Sequence, residues 1–487
     1  MKTKLAICSL GLVLVAGNVA FAQSPPPTKM AGLKKPAAAG KPNVVYFLVD
    51  NLGMGELSCY SGGPFRGVTT ERIDAFAKEG MMLLNFAPEA QCTPSRSALM
   101  TGRYSIRSGN QTVALAGSHS GLVKWERTLG DIFSGVGYAT GIVAKWHIGD
   151  SAGRWPTDHG FDEWYGIPRS YDECLWPSDP WYDPKRDPVT KTLEGKKGQA
   201  VRELEQLTVD VRRDIDVEYM KRAKDFLKRS TDAGKPFFLY FCHSLMHLPT
   251  IPRAEFKGKT GHGDWADCLL ELDTDFGALL DYLKQLGVAD NTIVVFSGDN
   301  GPEEAQPWRG TAGYFEGSYF TGMEGSLRTP ALVRYPGHVP SEQKSNEIVH
   351  ITDMFTTLLL WTGLQIPKDR VVDGVDQRAF LEGKQINSNR DGFPYWLGSQ
   401  LYGVKWRNFK LVMVEQKKLT DPALPLPNPH LVNLDTDPKE REPVDYPYIH
   451  TWVGAHVAKI LGDYQESLKR EPLIPVGAPQ DFVPKQK

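Results

Sequence analysis

The run Asn-Val-Val-Tyr-Phe-Leu-Val at residues 43–49 constrains the fold more than any other stretch. It is of strand length and apolar on both alternating faces. Such a run suits a strand buried on both sides, as in a parallel sheet covered by helices. It ends in Asp50-Asn51-Leu52-Gly53. Acidic and amide oxygens at the C-terminal end of a central strand, before a glycine turn, stand where open α/β sheets carry their sites. The pattern returns at residues 292–296, followed by Ser297-Gly298-Asp299-Asn300-Gly301, where Gly301 permits the turn.

Between and beyond these runs, strands and helices alternate. A helix is expected over 70–79, with Ile73, Phe76 and Ala77 inward and Gly80 ending it. The apolar stretch 81–86 follows, then a helix near 129–133, a strand at 140–144, the longest helix at 207–231, a strand at 236–242 and a second amphipathic helix at 265–286. A helix over 349–362 closes the series. This alternation predicts a mostly parallel sheet flanked by helices in a domain spanning 42–370. The pattern changes over 371–487: residues 402–414 alternate in strand fashion, 431–434 add a short strand, and 450–469 read as a helix with Val453, Val457, Ile460, Leu461 and Tyr464 inward. A small C-terminal antiparallel sheet with a helix is expected there. Residues 155–184, dense in Pro, Asp and aromatics including Trp164, Tyr165, Trp176, Trp181 and Tyr182, read as an irregular excursion that walls a cleft.

The N-terminus carries the marks of a secretory leader over residues 1–22: Lys2 and Lys4, an apolar stretch at 5–16, and Ala20-Phe21-Ala22 before Gln23. The apolar stretch is short for a membrane span, and no later run is long enough for one. Residues 23–41, rich in Pro, Ala and Lys, read as a disordered linker. The expected address is exported, periplasmic or secreted. A net charge of -2 gives no global field that favours nucleic acid or an anionic membrane. Without the leader five cysteines remain, Cys59, Cys92, Cys174, Cys242 and Cys268. An odd count leaves one unpaired, and Cys92 is the candidate. Pairing among the other four stays open, and none of the spacings resembles a zinc site.

Cys92 opens the stretch Cys-Thr-Pro-Ser-Arg-Ser-Ala-Leu-Met-Thr-Gly-Arg, residues 92–103. A turn is expected over 90–94 and a helix from Ser95. A cysteine at a helix N-terminus meets backbone N–H groups and a dipole that favour an anion, and Arg96 adds a fixed positive charge. The stretch closely resembles the sulfatase family motif. In that family an enzyme converts the cysteine to Cα-formylglycine, whose hydrate attacks the sulfur of a sulfate ester. Further segments agree in order and place. Gly-Ile-Val-Ala-Lys-Trp-His-Ile-Gly (141–149) resembles the family's second motif, Gly166 to Asp172 a segment whose serine touches sulfate, and His247-Leu248-Pro249 its His-x-Pro, with His243 as a nearby decoy. Residues 433–440 resemble a C-terminal segment of the family.

The resemblance implies an alkaline-phosphatase-like α/β fold and sulfate ester hydrolysis. It implies Ca²⁺, with Mg²⁺ the alternative, held by Asp50, Asn51, residue 92, Asp299 and Asn300, all hard oxygen donors once residue 92 is converted. It implies catalytic roles for Cys92, Arg96, Lys145, His147 and His247. Arg96 and Lys145 would compensate charge, His247 would protonate the leaving oxygen, and His147 would take a proton from the second hydroxyl of the hydrate. Ser170, Lys145, His247 and Tyr319 would contact substrate, a sulfated small molecule or sulfated glycan. A maturation enzyme for Cys92 is the implied protein partner.

Two positions depart from the family. Asn51 stands where a second aspartate is usual, which predicts weaker metal binding or tolerance of another ion. Tyr319, in Tyr-Phe-Thr-Gly-Met-Glu-Gly-Ser (319–326), stands where a lysine is usual, with Arg309 or Arg328 as candidate substitutes for the charge. Two other readings stay open: a phosphodiester or phosphonate monoester hydrolase of the same superfamily, and a non-catalytic binder of sulfated glycans.

Overall fold

The structure, a computed structural model, describes residues 40–115, 120–445 and 448–485. The leader and almost all of the linker lie outside the described residues. The strands are β1 (Asn43–Val49), β2 (Met81–Ala87), β3 (Ala139–Ala144), β4 (Glu163–Gly166), β5 (Lys191–Lys196), β6 (Arg202–Gln206), β7 (Phe237–His243), β8 (Thr292–Gly298), β9 (Thr329–Arg334), β10 (Gln343–Ser345), β11 (Val349–His350), β12 (Gly392–Leu397), β13 (Gln400–Trp406), β14 (Phe409–Glu415) and β15 (Leu424–Asn433). The first eleven form one mixed sheet in the order β10-β2-β9-β8-β1-β7-β3-β4-β5-β6, with β11 beside β2. The last four form the small antiparallel sheet.

β1 lies at the centre of the large sheet and every one of its residues is buried. It pairs in parallel with β7 on one side and β8 on the other, and β7 continues in parallel to β3. The register puts Phe47 opposite both Phe241 and Phe296. The three rings stack across the strands at 5.0 and 5.7 Å, and Phe276 of the helix Asp264–Gln285 meets Phe47 edge-on at 4.9 Å. Offset and edge-to-face aromatic packing of this kind adds to the burial that holds a sheet to its helices.

The same register aligns the strand ends. Val49 pairs with His243 and with Gly298, and Ala144 with Cys242. The residues that follow each strand, Asp50, Ser244, Asp299 and Lys145, therefore emerge side by side along one edge of the sheet.

Several elements differ from the sequence expectation. The helix at Cys92 spans Cys92–Thr101, starting three residues before Ser95. Gln91 is extended as its N-cap, and Pro94 falls in the first turn, where its missing N–H is not needed. All ten residues of that helix are buried. The excursion at 155–184 contributes β4 to the sheet, so Trp164 and Tyr165 are core residues and not a cleft wall. The hairpin β5–β6 is polar and β6 is fully exposed, so it carries no apolar periodicity to read. In the C-terminal region, Val453 and Val457 of the helix Thr451–Arg470 pack with Val404, Trp406, Phe409, Leu411 and Leu431 of the small sheet. Among the described residues no helix is long and apolar enough to cross a membrane, and all five cysteines there are free thiols.

Candidate active site

Cys92 Sγ lies 3.4 Å from Asp50 Oδ1 and 3.9 Å from Asn51 Oδ1. Asp50 and Asn51 follow β1 directly, and Asp299 and Asn300 follow β8, so the aligned strand ends bring all four to the first turn of the Cys92 helix. The Asn51 amide N–H donates to Asp299 Oδ1 at 3.1 Å, and Asn300 Nδ2 donates to Asn51 Oδ1 at 2.6 Å. Asn51 sits at φ 56°, a left-handed conformation that asparagine adopts more readily than most residues. Gly301 is not in that conformation. A Cβ there would stand 2.0 Å from the Gly325 carbonyl oxygen, so the residue is small for space and not for φ.

Two cations hold this acidic centre. Arg96 bridges Asp50 Oδ2 at 3.2 Å and Asp299 Oδ2 at 2.9 Å, and its Nη1 donates to the Lys145 carbonyl. Lys145 Nζ lies 2.8 Å from Asp50 Oδ2 and 3.5 Å from Ser170 Oγ. Burial works against a charged Asp50, but Lys145, His247 and Arg96 outweigh it and hold the carboxyl well below the usual range. Asp299 goes the other way. Burial and the neighbouring Asp50 push it up to about 7, against Arg96 and Lys145.

Both carboxyls are inaccessible to solvent, and Asn300 Oδ1 is buried without a partner. The ligand atoms of Asp50, Cys92 and His247 lie within 4.8 Å of one another. Two carboxyls and two amide oxygens, one of the latter without a partner, form a hard oxygen donor set, which fits a divalent cation.

On the other side of Cys92 stand the histidines. Lys145, Trp146 and His147 follow β3. The main-chain N–H groups of Trp146 and His147 donate to Ile167 and Pro168, so Trp146 turns into the core while Lys145 and His147 share the site face. Thr93 Oγ1 donates to the His147 carbonyl at 2.7 Å. Both imidazole nitrogens of His147 are buried without a partner, and burial with Lys145 and Arg96 pushes the ring far below its ordinary value. His247 Nδ1 pairs with the Leu248 carbonyl at 2.6 Å, and Nε2 lies 3.1 Å from Ser170 Oγ. Burial and Lys145 push His247 down to about 4, against Asp50 and Asp172. His243 lies outside this group, between Asp275 at 3.2 Å and Asp216 at 3.7 Å.

Tyr319 borders the centre, its hydroxyl accepting from Gln91 Nε2 at 3.1 Å. Both arginines suggested as substitutes for its missing charge already have a carboxylate partner. Arg309 pairs with Glu304, and Arg328 with Glu324. The structure adds three residues that the sequence did not single out. Gln91 precedes Cys92 and reaches Tyr319. Glu303, two residues beyond Gly301, has a buried carboxyl oxygen without a partner and is raised to about 8 by burial, Asp50 and Asp172. Tyr171, next to Ser170, packs its ring against His247 at 5.9 Å. Proximity in sequence to Cys92, Asn300 and Ser170 was the available signal for each.

Buried charged groups gather at the strand ends of a mostly parallel sheet, around a cysteine at a helix start, in a site whose chemistry suits an anionic ligand. The sequence profile of the sulfatase family matches residues 42–364, and the profile described as N-sulphoglucosamine sulphohydrolase, C-terminal, matches residues 310–465. N-acetylgalactosamine-6-sulfatase from dog is 33% identical over 399 residues, covering 78% of this chain and 73% of its own length. Human arylsulfatase A is 33% identical over 371 residues, covering 74% and 71%. The crystal structure of a sulfatase from Pseudoalteromonas sp. superposes with a TM-score of 0.84 at 28% identity, over 89% of this chain and 92% of that one. The chain belongs to the sulfatase family and is a sulfuric ester hydrolase.

Proposed function

We propose that this sulfatase acts on sulfated carbohydrate and that Cys92 works as Cα-formylglycine. The observation that carries the reading is the convergence of the segments after four strands on residue 92, with the Asp50, Asp299, Lys145 and His247 side chains gathered around it. Calcium is the proposed cation, with magnesium the alternative, at Asp50, Asn51, residue 92, Asp299 and Asn300. When bound, the cation and the hydrated aldehyde supply an activated oxygen nucleophile for sulfur.

The remaining residues have distinct tasks. Arg96 is committed to Asp50 and Asp299, so it holds the carboxyls in place. Lys145, between Asp50 and Ser170, is the cation that reaches the sulfate oxygens. His247 has Nδ1 engaged by the Leu248 carbonyl, which leaves Nε2 to pass a proton to the leaving oxygen. Its low affinity for that proton belongs to a site without substrate. The negative charge of a sulfate ester raises it, so the proton arrives with the substrate. His147, neutral and with both nitrogens free of protein partners, is the base on the nucleophile side. Tyr319 offers a hydroxyl where the family lysine offers charge, which predicts a weaker electrostatic hold on sulfate.

The carbohydrate reading draws on two supports. Relatives at 31–35% identity are named N-acetylgalactosamine-6-sulfatase. The segment following Ser170 carries Trp176, against Tyr182 at 6.0 Å, and Trp181, whose side chain is 91% exposed and available for a sugar face. The catalytic domain is assigned to 42–370 and the C-terminal domain to 371–487. The leader supports export, and conversion of Cys92 requires a maturation enzyme in the host.

Peptide mass spectrometry on protein from its own host tests the nucleophile. Trypsin releases residues 79–96, and the expected mass carries an aldehyde in place of the thiol. Parallel assays with nitrophenyl sulfate, bis(nitrophenyl) phosphate and a 6-sulfated N-acetylhexosamine follow. Turnover of the sulfates alone is expected. Preference for the phosphodiester, or sulfated-sugar binding without turnover in converted protein, would overturn the assignment of substrate and activity respectively.

A further inference from the structure

The long helix Val209–Asp232 presents Arg212, Asp216 and Tyr219, spaced so that they lie along one face. All three are buried, and none figures in the chemistry above. Arg212 is inaccessible to solvent. A buried guanidinium is costly unless its donors are met. Here both terminal nitrogens are met by main chain and hydroxyl, while Nε is buried without a partner. Nη1 donates to Ser244 Oγ at 2.7 Å, and Nη2 donates to the carbonyl oxygens of Ser244 at 3.1 Å and His247 at 2.8 Å. Asp216, one turn on, accepts from the Ser244 N–H at 3.1 Å and from the Ser244 hydroxyl. The turn that carries His247 is gripped at both ends by one helix face.

The same guanidinium also meets the ring beside His247. Its carbon lies 4.8 Å from the Tyr171 ring centroid, while Lys145 Nζ lies 5.9 Å from that centroid and the His247 ring 5.9 Å from it. Tyr219, a further turn along the helix, receives the Tyr171 hydroxyl at 3.3 Å. Arg212 thus contacts the backbone of His247 and the aromatic face that lines His247 and Lys145, but neither Cys92 nor the acidic centre.

We infer that Arg212 is a positioning residue for His247: with Asp216 and Tyr219 it fixes the turn and the Tyr171 ring that together aim Nε2 into the site. A planar fork suits this task because Nη1 takes the Ser244 hydroxyl while Nη2 takes the two carbonyl oxygens, with the flat face left to lie over the Tyr171 ring. The inference rests on the reading of His247 as the proton donor to the leaving group.

The test uses full-length converted enzyme and a series of aryl sulfates from nitrophenyl to unactivated alkylphenyl leaving groups. Arg212→Met is expected to lose about 100-fold in kcat on the poorest leaving groups and little on nitrophenyl sulfate, because good leaving groups need no proton. Arg212→Lys is expected to recover part of the loss, and it carries the same comparison if the methionine variant does not fold. In a cycle with His247→Ala, adding Arg212→Met to the histidine variant is expected to cost nothing further. An equal loss across the series, or losses that multiply in the double variant, would overturn the inference. A His247→Ala loss independent of leaving group would instead overturn the proton-donor role. The cycle would then still decide Arg212, since a positioning residue is silent once the side chain it positions is gone.

Discussion

Lys145 Nζ lies 2.8 Å from Asp50 Oδ2, and neither side chain is accessible to solvent. The pair joins the end of β3 to the end of β1 and puts a cation beside the carboxyl that faces Cys92. Lys145→Met leaves Asp50 with Arg96 as its remaining cation. We expect kcat for nitrophenyl sulfate to fall by about 10²–10³, the scale seen when one donor to a developing charge is removed. Loss of one partner of a buried pair is expected to cost about 3–5 kcal/mol in unfolding free energy. Steady-state kinetics and denaturant titration check the two effects separately.

Asn51→Asp restores a carboxylate beside Asp50 and Asp299. Affinity of oxygen sites for Ca²⁺ rises with ligand charge, and about a tenfold lower Kd is expected. The cation-free variant is expected to melt lower than the parent, because a third buried carboxyl is added, and to regain stability as Ca²⁺ is supplied. Calorimetric titration of chelator-treated protein reads both, and an unchanged Kd would count against Asn51 as a ligand.

Tyr319→Lys returns the family charge to a position next to Gln91. Several-fold tighter inhibition by inorganic sulfate is the expected result, with KM for anionic esters moving the same way. Identical kinetic constants in parent and variant would remove Tyr319 from the substrate site.

Glu89 is buried close to the start of the Cys92 helix, and its Oε1 accepts from the Ser105 N–H at 3.1 Å. Burial is the main reason it is raised to about 7 from an ordinary 4.5. The folded chain therefore holds a proton that the unfolded chain releases between those values. The contribution of this group to stability is present in full below pH 4.5 and is lost as the pH rises through 7. Glu89→Gln is expected to flatten that part of the stability profile, by an amount on the order of 3 kcal/mol at most. Melting temperatures of both proteins across the window test it.

Glu324 is buried where the segment carrying Tyr319 meets the small sheet. It pairs with Arg328 at 2.7 Å, with Lys405 of β13 at 2.6 Å and with Lys410 of β14 at 3.4 Å. Glu324→Gln strands three cations together without their common carboxylate. About 3–5 kcal/mol of destabilisation is expected, read as a lower denaturant midpoint. An unaltered midpoint would show that Glu440, which pairs with Lys410 at 2.8 Å, carries the junction alone.

Much of the architecture is legible in the sequence because it depends on near neighbours. The continuous apolar run 43–49 is a central strand, and the apolar faces at 73, 76 and 77 and at 453 and 457 point inward, because alternation and helical spacing are properties of adjacent residues. The sequence by itself also determined which residue types stand at each strand end: Asp50-Asn51, Lys145-Trp146-His147, His247, Asp299-Asn300. Only the tertiary structure decided what those residues do to one another. The alignment of Val49 with His243 and Gly298 is a register between strands about 190 and 250 residues apart, and no local pattern encodes it. That register sets Asp50 low and Asp299 high, although both are aspartates after apolar strands. The pairing of β4 with β3 buries Trp164 and Tyr165 while Trp181 stays in solvent. The packing of the helix Val209–Asp232 on β3 and β7 brings Arg212, an arginine in a polar helical turn, to the carbonyl of His247. Charge and burial act through space, so their outcome depends on distances that exist only once the sheet has closed.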